Sequence, residues 1–458
     1  MDGRVQEQVA TAGAAPAVGE SGVSAGLKAL ARDTLLSEGV LAKFLRYVQI
    51  DTQSDPAGPA VPTTPGQWDL SRLLAAEAAA MGLEAVRCDE HGIVTATLAA
   101  NSREGDRASP TRGAPGGTVG LLAHIDTSPA VTGRGVRPVV HRRYAGGPIA
   151  LPGGPVLDPG EHPRLAEVLG SDIVTSDGTT LLGADDKAGV AEIMAAVAYL
   201  LVHPEVPHGP VRLGFTTDEE TGRGIEHLDV AAFGADAAYT LDGGALGEIA
   251  WENFHAENLR LMIQGRAAHP GSARGQMVNA LHLAAALVSA VPAGMRPETT
   301  AGREGFIHID ELRGNVEEAT LVVLLRDFDA QGLAAKRRWL EGQCAVLRAT
   351  HPACRISWTQ TGGYRNMCAA VERHPAVTGR ALEAMRRAGV EPRPAAIRGG
   401  TDGARLSERG LPTPNLFAGG MNFHSRTEWV PVVWMEQAVA VVVELARLWA
   451  EEGPAKPA

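Results

Sequence analysis

Four junctions in this chain join an apolar segment to acidic or imidazole side chains, and their repetition restricts the folds open to it. Thr118-Val119-Gly120-Leu121-Leu122-Ala123 runs into His124-Ile125-Asp126, and Val211-Arg212-Leu213-Gly214-Phe215-Thr216-Thr217 runs into Asp218-Glu219-Glu220. Ala237-Ala238-Tyr239-Thr240-Leu241 ends at Asp242, and Gly183-Ala184-Asp185-Asp186-Lys187-Ala188-Gly189 opens a long helical stretch. Short apolar runs of this kind read as buried strands, and open α/β sheets bind their ligands beyond the carboxyl ends of their strands. Alone, each acidic cluster reads as a solvated turn. Together they gather hard oxygen and imidazole donors on one edge of a sheet, which points to a metal site.

The rest of the pattern places that edge in a two-part molecule. A chain of 458 residues exceeds the usual size of a single core. Leu41, Phe44, Leu45 and Val48 recur at helical spacing, and a second helix is expected from about Gln67 to Met81. Strands then alternate with helices, one of them from about Lys187 to Leu201, up to Asp242. That order predicts a mixed, mostly parallel sheet flanked by helices. After Asn253 the texture changes to an alternating strand at Leu259–Ile263, an amphipathic helix at Met277–Val291 and a strand at Thr320–Arg326. An α+β unit inserted at about 254–365 accounts for this, with the α/β pattern resuming in helices at about 375–388 and 434–451. The expected division is a flexible extension at 1–34, a main domain at 35–253 and 366–458, and the insert between its halves. The segment 101–117 reads as an exposed loop with no functional role.

Composition narrows the partners. A net charge of −11 without a Lys/Arg run argues against nucleic acid and for a small substrate. Cys88, Cys344, Cys354 and Cys368 form no C-x-x-C pair, so neither a zinc knuckle nor a disulfide framework is expected. No apolar stretch approaches membrane-spanning length and the first residues lack a signal pattern, which together predict a cytoplasmic protein.

A pair of divalent cations requires about three protein ligands each and a shared carboxylate. His124 and Asp242 suit one cation, Glu220 and His424 the other, with Asp185 as the bridge. Asp126, two residues beyond His124, points the same way along the strand and can hydrogen-bond the other ring nitrogen. Asp186 is left as a structural neighbour of the bridge, and Glu219 is free for proton transfer. Imidazole plus carboxylate favours Zn²⁺, with Mn²⁺ or Co²⁺ as substitutes.

Several longer motifs occur in a fixed order: Ala123-His124-Ile125-Asp126-Thr127-Ser128-Pro129, Leu182-Gly183-Ala184-Asp185-Asp186-Lys187-Ala188-Gly189, Asp218-Glu219-Glu220, Tyr239-Thr240-Leu241-Asp242-Gly243-Gly244, His269-Pro270-Gly271 and Ile397-Arg398-Gly399-Gly400-Thr401-Asp402-Gly403. In these the chain resembles the peptidase T family, tripeptide aminopeptidases of the di-zinc aminoacylase and carboxypeptidase G-like superfamily, from about Leu41 to Leu448. The resemblance implies two Zn²⁺ per subunit on the ligand set above, Glu219 as general base with Asp126 among the catalytic groups, and small peptides as substrates. It makes the insert a lid through which subunits form a homodimer. His269 on that lid would help polarise the substrate carbonyl, in dimeric relatives from the neighbouring subunit, and Arg398 and Asn366 would contact the substrate. A two-pronged contact from Arg398 suits a peptide carboxylate. Carboxypeptidase or N-acyl amino acid deacylase activity on the same site is the alternative chemistry. A peptide-binding homologue without catalysis is disfavoured, because every ligand and base position is filled. Ala130 and Ser425-Arg426-Thr427 depart from the family pattern, which bears on substrate preference and leaves the metal set intact.

Overall fold

The strand Val119–His124 is buried at every position, as befits an interior strand of a sheet covered by helices on both faces. A computed structural model, describing residues 30–101 and 117–455, pairs it in parallel with Val211–Thr216 on one side and Ala237–Gly243 on the other. Asn415–Phe417 extends the parallel set beyond Ala237–Gly243. Antiparallel Val94–Leu98 and Glu84–Cys88 complete one edge, and Glu248–Asn253 and Arg393–Ile397 the other, giving eight strands. The mixed, mostly parallel sheet expected from the strand and helix alternation is therefore present.

The helix Ala184–Val202 crosses this sheet with nearly all of its residues buried. Asp185 (φ −88°, ψ 106°) and Asp186 (φ −120°, ψ 35°) are not helical, so regular turns start at Lys187. Gly189 lets the helix lie directly on the strand that carries Asp242, because a Cβ at this position would fall 2.0 Å from the Leu241 carbonyl oxygen. The C-terminal helix Val432–Glu452 and the helix Val40–Tyr47 pack over it.

Two elements of this part depart from expectation. The helix Arg32–Ser37, with Leu35 fully buried, lies partly inside the segment expected as an extension. Residues 1–29 and 102–116 lie outside the described residues, and the expectations for the extension and the 101–117 loop fall largely on them. A small antiparallel sheet of Val139–His141, Ile173–Thr175 and Trp429–Pro431 was also unforeseen, its strands being too short to show a period.

The insert is a four-stranded antiparallel sheet in the order Phe306–Gly314, Glu318–Asp327, His255–Gln264, Arg355–Tyr364. Leu259, Leu261 and Ile263 alternate inward with Leu321, Val323 and Leu325, against the helices Ala280–Ala290 and Ala330–Thr350. The two edge strands and the second helix lacked a readable signal. That helix fully buries only Leu333, Leu340 and Cys344 over 21 residues, and the edge strands carry polar side chains on their open face.

The chain enters the insert at 253–255 and leaves it at 364–367, where two asparagines tie the crossings together. Asn253 N–H donates to Asn366 Oδ1 (3.2 Å), and Asn253 Oδ1 accepts from Met367 N–H (2.8 Å). Asn366 Nδ2 donates to the Phe328 carbonyl (3.1 Å), and Asn366 Oδ1 also accepts from Cys368 N–H (2.9 Å). Arg398, just beyond the edge strand Arg393–Ile397, reaches the insert and donates to the carbonyls of Gly302 (2.7 Å) and Glu304 (2.9 Å) and to Thr300 Oγ1 (3.0 Å). Its guanidinium lies over the rings of Phe254 and Phe306. Arg303 reaches back from the same loop to pair with Glu252.

Two expected outcomes follow from these contacts. Asn366→Ala should speed amide exchange at Asn253 and Cys368, whose hydrogen bonds it removes, while exchange in Val119–His124 stays unchanged; a raised KM with unaltered exchange would instead make Asn366 a substrate contact. Glu192, buried in the helix Ala184–Val202 with neither carboxylate oxygen hydrogen-bonded among the described residues, is pushed by burial well above the usual carboxylate range. Such an acid favours the fold fully below its unfolded pKa of about 4.3 and loses that contribution as pH rises through its folded value. Glu192→Gln, which cannot titrate, should therefore gain stability relative to the parent progressively as pH rises above about 4. Urea unfolding of the metal-free proteins measures this, and a difference independent of pH would count against it.

Candidate metal centre

The parallel strands bring their carboxyl ends to one edge, and the candidate ligands converge there. His124, the last residue of its strand, places Nε2 2.9 Å from Asp185 Oδ1 and 3.6 Å from Asp242 Oδ1. His424 places Nε2 3.1 Å from Asp185 Oδ2 and 2.8 Å from Glu220 Oε1. Two trios result, His124/Asp185/Asp242 and Asp185/Glu220/His424, each with its donor atoms within 4.8 Å of one another. Asp185 belongs to both, one oxygen facing each histidine.

Neighbouring side chains grip the backbone that carries these residues. Asp126, buried, accepts the N–H groups of Glu219 (2.9 Å) and Glu220 (3.2 Å), and its Oδ1 lies 3.3 Å from His124 Nδ1. One carboxylate thus fixes both the imidazole and the turn bearing the two glutamates. Asp218, in the left-handed region at φ 54°, is anchored by Thr63 N–H (2.7 Å), Thr63 Oγ1 (2.5 Å) and Gln67 Nε2 (2.7 Å). Asp186 accepts from the N–H groups of His124 and Gly189, both at 3.2 Å. Asn415, on the adjacent strand, accepts from the N–H of Asp242 at 3.1 Å.

The electrostatics call for positive charge. Burial pushes the Asp242 carboxyl up to about 6 despite its contact with His124. Burial also opposes charge on Asp185, but hydrogen bonds with His124 and His424 outweigh it and hold that carboxyl well below the usual range. His424 is driven up to about 10, chiefly by Asp185 and Glu220. Glu220 Oε1 is buried without a well-directed hydrogen bond. Oxygen and imidazole donors, a shared carboxylate and an unsatisfied buried oxygen together fit a pair of divalent cations.

Asp185, Asp242, Glu220 and His424 line a 930 Å³ cavity between the two sheets, with His124 buried behind them. Glu219 lines it, and its carboxylate makes no hydrogen bond among the described residues; burial raises its pKa well above the ordinary range. Asn258, Arg326, Gly362, Gly363 and Tyr364 of the insert form the opposite wall, where Arg326 and Arg405 lie over the Tyr364 ring at 5.4 and 5.8 Å. Of the expected substrate contacts, none lines this cavity. Arg398 has its guanidinium committed to the 300–304 loop, and Asn366 sits at the chain crossings. His269 is exposed on the insert, where it caps the short turn Pro270–Ser272.

Sequence reasoning overlooked Arg326, Arg405, Tyr364 and Asp402, the last of which accepts from Thr216 Oγ1 (2.6 Å) beside the centre. Asp402 stands inside a motif already singled out, whereas the others lie in ordinary strand and helix positions that carry no signal. It also passed over Glu428, an acid at the mouth of the apolar strand Trp429–Pro431.

Comparison with known proteins gives this arrangement a context. The profile of Peptidase family M20/M25/M40 matches residues 177–448. Peptidase T of Geobacillus thermodenitrificans (strain NG80-2) is 45% identical over 419 residues, covering 91% of this chain and 100% of that protein. Peptidase T of Salmonella newport (strain SL254) is 46% identical over 416 residues, covering 90% and 99%. The structure of aminopeptidase PepT from Bacillus cereus ATCC 10987 superimposes with a TM-score of 0.68 at 23% identity, over 90% of this chain and 98% of that one. The YXEP protein of Bacillus subtilis, a dinuclear metal-binding peptidase of the M20 family, superimposes at 0.59 with 13% identity over 92% and 99%. The two structures share the fold, and the sequence relatives share nearly half of all positions along almost their whole length. On that likeness the chain belongs to peptidase family M20/M25/M40 and, within it, to the peptidase T proteins.

Proposed function

We propose that the protein is a dinuclear metallo-aminopeptidase that removes the N-terminal residue from tripeptides. The observation that carries this reading is the single carboxylate, Asp185, placed between two imidazoles with an uncommitted glutamate beside it. His124, Asp185 and Asp242 would hold one cation and Asp185, Glu220 and His424 the other, with Zn²⁺ favoured by the donor types and Mn²⁺ or Co²⁺ able to replace it. When bound, such a pair polarises the scissile carbonyl and lowers the pKa of the attacking water.

The side chains divide the remaining work. Glu219 takes the proton of the attacking water and delivers it to the leaving amine, a role that suits a carboxylate free of other hydrogen bonds. Asp126 keeps Glu219 and His124 in register through the backbone of the glutamate turn and the imidazole. Arg326 and Arg405, across the cavity from the carboxylates, supply positive charge for the C-terminal carboxylate of a short peptide. Arg398, with its guanidinium turned to the insert, holds the angle of the lid instead.

In this reading the catalytic unit comprises 35–253 and 366–458 together with the helix Arg32–Ser37, and the lid is 254–365. His269 lies outside the cavity, so in this reading it serves the neighbouring active site of a homodimer formed through the lids. Small peptides as substrates and the lack, among the described residues, of any helix long and apolar enough to cross a membrane fit a role in the cytoplasm.

Three measurements test the reading. Chelation should abolish hydrolysis of unblocked tripeptides and added zinc restore it, with di- and tetrapeptides and N-acylated tripeptides cut poorly; release of the C-terminal residue would overturn the aminopeptidase assignment. Glu219→Gln should lower turnover by about 10²–10⁴-fold at unchanged metal content, whereas Glu220→Ala should lose metal. Mixed dimers of Glu219→Gln and His269→Ala subunits should regain activity, because one hybrid site keeps both residues, and verified mixed dimers without rescue would confine each lid to its own subunit.

A further inference from the structure

Glu428 is buried, and its carboxylate accepts three backbone N–H groups from one loop. Leu182 (2.7 Å) and Gly183 (2.9 Å) donate to Oε2, and Asp185 (3.1 Å) donates to Oε1. The buried Lys187 lies near enough to feel its charge, but the hydrogen bonds that hold the carboxylate come from the backbone. The loop it grips carries Asp185, the residue common to both trios.

Glu428 also belongs to the turn that carries His424. Met421 and Trp429 exchange backbone hydrogen bonds at 2.9 and 3.0 Å and close that turn at its base. Inside it Ser425 Oγ donates to the Asn422 carbonyl (2.7 Å), Thr427 N–H donates to Ser425 Oγ (3.2 Å) and Asn422 Nδ2 donates to the Thr427 carbonyl (3.1 Å). Asn422 and His424 both adopt left-handed backbone, at φ 57° and 59°. A turn closed by so many internal bonds moves as one body, so the position of Glu428 fixes that of His424.

We propose that Glu428 is the positioning residue of the metal centre, a strut that sets the spacing between Asp185 and His424 by docking the turn of one onto the loop of the other. The two ligands are 239 residues apart in sequence yet 3.1 Å apart in space. Besides the ligands' own contact, the three hydrogen bonds of Glu428 join the segments carrying them. The Ser425-Arg426-Thr427 continuation, which departs from the family pattern, belongs to this strut, because Ser425 and Thr427 close the turn between ligand and carboxylate. This inference rests on the dinuclear reading and concerns how the site is assembled.

The test uses the full chain, stripped of metal and titrated with Zn²⁺ against a chromophoric chelator. Glu428→Gln keeps the volume but presents an amide NH₂ to at least one of the three donors. It should weaken zinc binding by about 10–100-fold, the usual effect of losing a partner behind a metal ligand, while the melting temperature of the metal-free protein changes little. Equal zinc affinity in parent and variant would overturn the proposal, and so would a loss of metal-free stability with affinity unchanged, since that marks a purely structural role. A parent protein that binds no zinc would instead refute the dinuclear reading. Amide exchange on the metal-free parent is independent of the variant's folding: protected Leu182, Gly183 and Asp185 support the strut, and rapid exchange at all three overturns it.

Discussion

Carboxylates from five separate segments meet at one edge of a buried sheet, and each must be compensated locally, because a charge left unpaired in that setting costs several kcal/mol. The protein solves this in two ways. Asp126, Asp186, Asp218 and Glu428 accept nearby backbone N–H groups, together with side-chain donors at Asp218. Among the described residues, the side chains of Asp185, Asp242 and Glu220 face imidazole nitrogens and one another, an arrangement suited to cations. The first group fixes the backbone on which the second is mounted. The site is thus built from acids in both roles, and the aligned amides decide which acid has which.

How much of this is legible in the sequence depends on the kind of signal involved. The interior strands announce themselves as short apolar runs, and the ligands at their ends follow from position alone. The choice of Asp185 over its neighbour Asp186 as the shared candidate ligand was also within reach, and in the structure Asp185 lies between both histidines while Asp186 faces backbone amides. The edge strands Phe306–Gly314 and Arg355–Tyr364 and the helix Ala330–Thr350 were not, because elements with one thin apolar stripe have almost no period to detect. Glu428 was invisible for a different reason: its partners are main-chain groups nearly 250 positions away, and backbone donors leave no mark in a sequence.

Arg398 shows the limit of assigning chemistry from a motif. A guanidinium in a glycine-rich turn suits a substrate carboxylate and a set of backbone carbonyls equally well, as both offer oxygen acceptors in fork geometry. In this structure its surroundings are the carbonyls of 302 and 304 and the faces of Phe254 and Phe306. With Arg303 crossing the other way to Glu252, the insert is held by reciprocal arginines close to where the chain passes between the sheets. Arg326 and Arg405, two of the arginines lining the cavity, sit where no motif marked them.

The place of Asn415–Phe417 within the main sheet bears on how the chain is made. This short strand lies between Ala237–Gly243 and Glu248–Asn253, both completed far earlier in the sequence. As the polypeptide leaves the ribosome, those two strands wait with unpaired edges until the last tenth of the chain arrives to join them, and open edges are where chains pair wrongly. Contacts spanning such distances also slow folding. A truncated product lacking the final segment would lose a central strand together with His424, so incomplete synthesis yields an aggregation-prone fragment in place of a partly active enzyme.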